Sequence, residues 1–131
     1  DGLDGLTSIK NFDTSLAEGV MLLTPFAADS KDQATQDFVK AYKAAYNDET
    51  PNQFAADAYD GVKILAKLIE SQGITADMSA SDICEKLKTG ITASDFSYDG
   101  LTGTGMKWNA NGEVSKSPKA FVIKDGNYSA L

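Results

Sequence analysis

The segment Tyr98–Tyr128, YDGLTGTGMKWNANGEVSKSPKAFVIKDGNY, combines closely spaced glycines with the single tryptophan of the chain. In Met106–Asn109, apolar and polar residues alternate, which is the period of a half-buried strand. Asn109–Gly112 then has the composition of a tight turn. A second strand is predicted over Lys119–Lys124, followed by an Asp-Gly turn. The end of the chain is therefore predicted to consist of short β-strands.

The rest of the chain predicts one strand followed by three helices. The run Gly19–Thr24 is continuously apolar and is stopped by Pro25, which is typical of a fully buried strand, in particular a parallel one. Helices are predicted over about 31–47, 51–72 and 79–89, where apolar residues recur at helical spacing. This order of elements predicts an α/β fold.

Helix caps and buried faces follow from the same patterns. Ser30 and Thr50, each three residues before a glutamine, predict the first two N-caps, and Ser79 or Ser81 predicts the third. Helical spacing predicts inward faces of Ala34, Phe38, Ala41, Tyr42 and Ala45 in the first helix, Phe54, Ala58, Val62, Leu65 and Ile69 in the second, and Ile83, Cys84 and Leu87 in the third. Ala55, Tyr59, Ala66 and Leu68 widen the stripe of the second helix, which predicts that this helix is buried on more than one side.

Composition narrows the possible functions. The chain has 131 residues, which suits one domain, and a net charge of −7. An acidic surface repels phosphate groups, so nucleic acid and anionic membranes are not expected partners. No apolar run approaches a membrane span, and the acidic start is not that of a signal peptide. We therefore expect a mature, truncated or cytosolic chain.

The side chains that most enzymes use are scarce. The chain has no histidine and one cysteine, Cys84. This excludes Ser-His and Cys-His nucleophile pairs, an intramolecular disulfide and thiolate metal clusters. We expect no metal site and no cofactor.

Two glycine-containing motifs resemble ligand loops but do not match them. Gly100, Gly103 and Gly105 lack the spacing of a phosphate-binding loop and lead into a strand rather than a helix. Asn109–Gly112 resembles the middle of a calcium loop, but Pro118 occupies the position of its last ligand, a glutamate. Both segments are better explained as turns.

Two carboxylates on the second helix leave one catalytic alternative. Asp57 and Asp60 are three residues apart and share a helix face, as an acid/base pair of a hydrolase would. They also lie near the helix N-terminus, where the helix dipole favours negative charge in any protein. Stabilisation by the helix dipole explains both aspartates without any catalytic role.

Three blocks of sequence resemble the type I periplasmic binding proteins, the receptors of branched-chain amino acid ABC transporters. Ala17–Phe26 is similar to the family's AEGV…TPF strand. Phe38–Val62 is similar to its FVKAY…YDAV helix pair. Tyr98–Gly126 is similar to its FDGVTG…ENG…KDG ending. The blocks follow the family order, but they cover only the C-terminal portion of a member.

The resemblance implies pieces of a two-lobed, Rossmann-like fold. Residues 1–26 would belong to the second lobe, residues 27–118 to the first lobe, and residues 119–131 would return to the second. Members lie outside the cytoplasm, in the periplasm or as lipoproteins on the bacterial surface. The implied function is the amino-acid-binding component of an ABC transporter, without catalysis, whose partners are its ligand and the permease.

The sequence also allows two other functions. The same fold serves as a sensor that binds amides or other small polar solutes. A carboxylate-dependent hydrolase is the alternative from another class.

The resemblance also assigns two ligand contacts. Asp1 matches the acidic residue that pairs with the ligand's ammonium group, and Phe54 is placed to line the side-chain pocket. The rest of the site would lie in segments outside this sequence, so we expect little ligand binding by this chain alone. Its unpaired strand and helix face predict a homodimer or a domain-swapped assembly.

Overall fold

A computed structural model describes residues 3, 5–117 and 119–131. These residues form short 3₁₀ helices, three α-helices and three strands, which confirms the predicted α/β class. In chain order, these are the 3₁₀ helices Leu6–Ser8 and Thr14–Ala17, β1 (Met21–Leu23), α1 (Gln33–Ala45), α2 (Gln53–Ser71), α3 (Ala80–Ile91), β2 (Ala120–Lys124) and β3 (Asn127–Ala130).

The three strands form one antiparallel sheet in the order β1-β2-β3. Leu22 pairs with Phe121, and Ile123 pairs with Tyr128 across the turn that joins β2 to β3. The apolar run of β1 predicted a fully buried parallel strand, but its described partner is antiparallel. Met21 and Leu23 are 68% and 62% exposed, because only the side of β1 that carries Leu22 is covered within this chain.

The core beside the sheet is built from both ends of the sequence. Ala17, Leu22, Phe121 and Ile123 are buried together, with Phe12 among the residues that pack against them. Beyond β2, the backbone turns at Asp125 and Gly126 with φ of 50° and 74°. The predicted Asp-Gly turn is therefore confirmed, and the left-handed backbone explains the glycine.

The N-cap of helix α1 lies two residues later than the predicted cap. Asp32, not Ser30, is the N-cap, and its carboxylate accepts a hydrogen bond from the Thr35 amide at 2.9 Å. The Ser30 hydroxyl instead donates to the Asp32 carboxylate at 2.5 Å. The Asp32 carboxylate is the better acceptor for the first turn because it carries a full negative charge beside the positive end of the helix dipole.

The buried face of α1 is rotated from the prediction. Thr35 and Phe38 are buried, whereas the predicted inward residues Ala34, Ala41 and Ala45 are exposed. Phe38 packs edge-on against Phe26 with the ring centroids 5.8 Å apart.

Helix α2 also starts later and turns a different face inward than predicted. It begins at Gln53, and Asn52, rather than Thr50, accepts the Ala55 amide at 3.2 Å. After the buried Gln53, the buried positions of α2 lie four residues apart, at Ala56, Asp60, Ile64 and Leu68. The central predicted stripe is exposed, with Val62, Leu65 and Ile69 67%, 46% and 44% exposed, whereas Leu68, predicted on its flank, is buried.

Helix α3 begins as predicted, with the Ser79 hydroxyl accepting the Asp82 amide at 3.1 Å. Ile83 and Leu87 are half-buried, but Cys84 is exposed rather than part of a core. The inward side of α3 instead includes Lys86, whose ammonium donates to the Gln72 carbonyl at 2.8 Å. The predicted strand around Met106 and Trp108 is reduced to isolated bridges.

The chain divides into two compact units. The first contains the residues up to Ala56 together with Ser117–Leu131, and the second is Asp57–Lys116. The boundary falls within the continuous helix α2. The assignment of residues 1–26, 27–118 and 119–131 to two lobes stays a prediction.

Candidate functional site

The structure describes one of the two predicted ligand contacts, Phe54, but not the other, Asp1. Asp1 lies outside the described residues. Phe54 is in the first turn of α2, and its side chain is 59% exposed rather than part of a core. The cavity of the first unit, described below, does not have Phe54 in its lining. The ligand-contact roles of both residues stay predictions.

The start of α2 is tied to the end of β1 within the first unit. Thr24 is 4% exposed, and its hydroxyl donates to the Phe26 carbonyl at 2.9 Å. The same hydroxyl lies 3.3 Å from Oε1 of Gln53, the first residue of α2, which is 3% exposed. Thr24-Pro25-Phe26 therefore fixes the residue that directly precedes Phe54.

A cavity of about 660 Å³ lies within the first unit. This volume is in the usual range of roughly 300–1,000 Å³ for small-molecule sites. Its lining includes the apolar Phe26 and Val39, the carboxylate of Asp29 and the ammonium of Lys43. Walls that carry both signs of charge suit a small polar or zwitterionic molecule.

In the second unit, Asp60 is a buried structural acceptor. Its side chain is 3% exposed, and its two carboxylate oxygens accept from the Leu101 amide at 2.9 Å, the Thr102 amide at 2.9 Å and the Thr102 hydroxyl at 2.8 Å. A Cβ atom on Gly100 would lie 2.5 Å from Asp60 Oδ2, so a glycine is needed for this close approach. Sequence reasoning identified Asp60 but did not find its partners.

Lys116 joins the other carboxylate to the same group. Its ammonium lies 2.8 Å from Asp57 Oδ1 and donates to the Thr102 hydroxyl at 2.7 Å. Asp57 is thus ion-paired with Lys116, and Asp60 is held by amide and hydroxyl donors, so each carboxylate has structural partners within this chain. The geometry favours a structural role for the pair over the hydrolase alternative.

The pKa of Tyr98 is raised by its surroundings, which include the buried Asp60 carboxylate. Burial raises the pKa of the Tyr98 phenol above its ordinary value of 10.0, and the nearby charge of Asp60 and the Tyr59 phenol add to the effect. Lys67 lies over the Tyr98 ring at 5.8 Å from its centroid and donates to the Ser97 carbonyl at 3.0 Å. The segment after α3 is therefore held against α2 by polar contacts.

The described residues contain neither a metal-binding cluster nor a helix that could cross a membrane. Residues 3, 5–117 and 119–131 contain no group of three or more cysteine and acidic side chains that could hold a metal ion. Over the same ranges, no helix has the length and apolar character needed to cross a bilayer.

Sequence reasoning missed Thr24, Thr102 and Lys116. Lys116 is 59 residues from Asp57 along the chain, so no local pattern joins them. The available signal was the spacing of α2, where an aspartate at position 60 continues a row of buried residues at positions 56, 64 and 68. A carboxylate inside a buried row indicates fixed hydrogen-bond donors opposite it.

Comparisons with known proteins agree with this fold. The structure is similar to LivJ of Streptococcus pneumoniae, a branched-chain amino acid transporter substrate-binding protein in complex with isoleucine, with 23% identity, a TM-score of 0.75 and coverage of 99% of this chain and 34% of that chain. It is similar to a solute-binding protein of an ABC transporter from R. palustris in complex with benzoate, with 20% identity, a TM-score of 0.73 and coverage of 98% and 32%.

A third similar structure is an ABC transporter substrate-binding protein from Desulfitobacterium hafniense in complex with Leu, with 25% identity, a TM-score of 0.68 and coverage of 89% of this chain and 32% of that chain. The chain thus spans about a third of the length of these structures. No curated protein sequence matches it. The sequence profile of the family described as periplasmic binding protein matches residues 5–127. The chain belongs to the periplasmic binding protein family.

Proposed function

We propose that this chain is the C-terminal portion of the amino-acid-binding component of an ABC transporter, with branched-chain amino acids as its ligands. The observation that carries the proposal is the family match over residues 5–127. It is supported by similar structures that hold isoleucine and Leu. Binding without catalysis also agrees with the engaged carboxylates of Asp57 and Asp60.

The choice between ligand classes depends on Asp1. A similar structure from R. palustris holds benzoate, which has a carboxylate but no ammonium group. A carboxylate at position 1 attracts the ammonium of an amino acid and repels the carboxylate of benzoate, most strongly where water is excluded. Asp1 therefore favours the amino acid.

Calorimetry on the full-length protein tests this proposal. Isoleucine, leucine or valine should bind, and Asp1→Asn should weaken binding by about 10- to 100-fold, because a charge-assisted hydrogen bond is lost. Benzoate should bind weakly and gain from the same substitution. Tight benzoate binding without amino acid binding would overturn the ligand assignment, and binding of an amide or another polar solute would favour the sensor alternative.

The proposal includes a location and a partner. A receptor of this kind works outside the cytoplasm, as a periplasmic protein or a bacterial surface lipoprotein, and delivers its ligand to the transporter's permease. Cell fractionation of the native host, with the permease as a membrane marker, tests the location: the protein should be released with the periplasm or remain with the outer face of the membrane. Recovery with cytoplasmic enzymes would contradict it.

We also propose that the chain by itself pairs with a second copy, as a homodimer or by domain swapping. Strand β1 is at the edge of the described sheet, and its Leu23 is 62% exposed. Helix α2 exposes a row of apolar residues that includes Val62. Such edges and faces pair with other chains. Light scattering should give a mass near twice the 13.9 kDa of one chain, and a monodisperse monomer would contradict the proposal.

A further inference from the structure

We infer that Lys116 is a positioning residue for the N-terminal turns of α2, and through them for the side chain of Phe54. The inference rests on the proposed role of Phe54 as a ligand contact. Lys116 does not have to touch the ligand, because it acts on the helix that carries Phe54.

Phe54 lies in α2 between two residues that are held by contacts with other segments. Gln53 precedes it and is 3% exposed, next to the Thr24 hydroxyl at 3.3 Å. Asp57 follows one helical turn later and is bound by the Lys116 ammonium at 2.8 Å. A helical residue can shift only as far as the turns on either side of it allow.

The side chain of Lys116 is partly buried where it contacts Asp57. Its side chain is 27% exposed, so the ammonium is partly shielded from water. It also donates to the Thr102 hydroxyl at 2.7 Å, and that hydroxyl donates to the buried Asp60 at 2.8 Å. The ion pair therefore continues into a hydrogen-bonded chain that ends at a residue one turn further along α2. Connected charge-assisted bonds of this kind hold geometry better than an isolated surface pair.

The lysine at position 116 acts both as a cation and as a hydrogen-bond donor. The Lys116 ammonium neutralises the charge of the Asp57 carboxylate and also donates a hydrogen bond to the Thr102 hydroxyl. Methionine at this position keeps the aliphatic stem but removes both functions. Arginine keeps the charge and can still donate to two acceptors.

Hydrogen exchange on the 131-residue chain tests the positioning without a ligand. Lys116→Met should speed exchange of the amides at positions 57–60 by about tenfold, the usual size for loss of one charge-assisted bond. Lys116→Arg should restore slow exchange. Lys107→Met is the matched control, because Lys107 contacts the Ser94 carbonyl rather than α2, and it should leave these amides unchanged. Unchanged exchange in Lys116→Met would overturn the inference.

Isoleucine binding by the full-length protein tests the consequence for Phe54. Lys116→Met should weaken affinity about fivefold when Phe54 is present and have no further effect in a Phe54→Ala background, since the two residues act through one helix turn. Equal effects in both backgrounds would overturn the link to Phe54. A Phe54→Ala variant with unchanged affinity would instead reject Phe54 as a contact, and the exchange experiment would still decide the role of Lys116.

Discussion

At the scale of single residues, the strongest polar feature is the buried carboxylate of Asp60. It is surrounded by donors fixed in the backbone, the amides of Leu101 and Thr102. A buried charge of this kind is tolerated only because each oxygen is matched by a donor. Its role is therefore to fasten the segment around Thr102 to α2.

Replacing Asp60 should be costly even with its isostere. In Asp60→Asn, the amide group turns a donor toward a backbone donor, so at least one buried N–H loses its partner. We expect a loss of about 2–3 kcal/mol in the free energy of unfolding, measured by urea denaturation. Asp95→Asn, at an exposed position, should change it by less than about 0.5 kcal/mol. Equal effects of the two substitutions would contradict the structural role of Asp60.

Tyr98 should ionise above the ordinary pKa of a tyrosine, 10.0. Burial raises its pKa above 10.0, followed by the charge of Asp60 and the phenol of Tyr59. Because the folded-state pKa is raised, the stabilisation from a neutral Tyr98 is complete below pH 10 and is lost as the pH rises through the folded-state value. Ultraviolet titration of phenolate formation should lose a component with a pKa above 10.0 in Tyr98→Phe. Loss of a component with a pKa at or below 10.0 would contradict the raised pKa of Tyr98.

At the scale of elements, the contribution of the α1 N-cap to stability can be measured by replacing Asp32 and Ser30 separately. Asp32 accepts the Thr35 amide at 2.9 Å, so Asp32→Ala should cost about 1 kcal/mol in unfolding free energy. Ser30→Ala should cost less, because the Ser30 hydroxyl supports the carboxylate rather than the helix backbone. A larger loss for Ser30→Ala would restore Ser30 as the cap.

The same cap has a defined pH dependence. Burial acts to raise the pKa of Asp32, but hydrogen bonds from Ser30 and Thr35 outweigh it and leave the pKa below 3.8. The stabilisation is therefore present above the unfolded-state pKa and is lost as the pH falls through the folded-state value. The difference in stability between the native chain and Asp32→Ala should shrink in acid.

The elements also show how far sequence reasoning reaches. The existence of three helices, the Ser79 cap and the Asp125–Gly126 turn could be predicted, because each depends on residues close together in the chain. The buried face of α2 could not, because apolar spacing passes over a row that contains Asp60. The contacts of Asp60 with Leu101 and Thr102 span 41 and 42 residues, and no local pattern encodes them.

At the scale of the whole molecule, charge and exposed apolar surface act in opposite directions. The net charge of −7 makes two copies repel each other at low ionic strength. The exposed α2 row of Val62, Leu65 and Ile69 has no charged residue among its members, so it favours contact between copies. Salt screens the repulsion without weakening apolar contact, and we expect self-association to increase between about 0.01 and 0.15 M salt.

A double substitution on α2 separates this contact from the net charge. Val62→Glu combined with Leu65→Lys keeps the net charge at −7 and places charges in the centre of the apolar row. Both side chains are exposed, so the folded chain should keep its stability while sedimentation equilibrium shows at least a tenfold weaker dimer. Met21→Thr with Leu23→Thr is the matched change on β1. A dimer lost only in the β1 variant would place the contact on the sheet edge, and a dimer lost in neither would require an exchange of whole elements between copies.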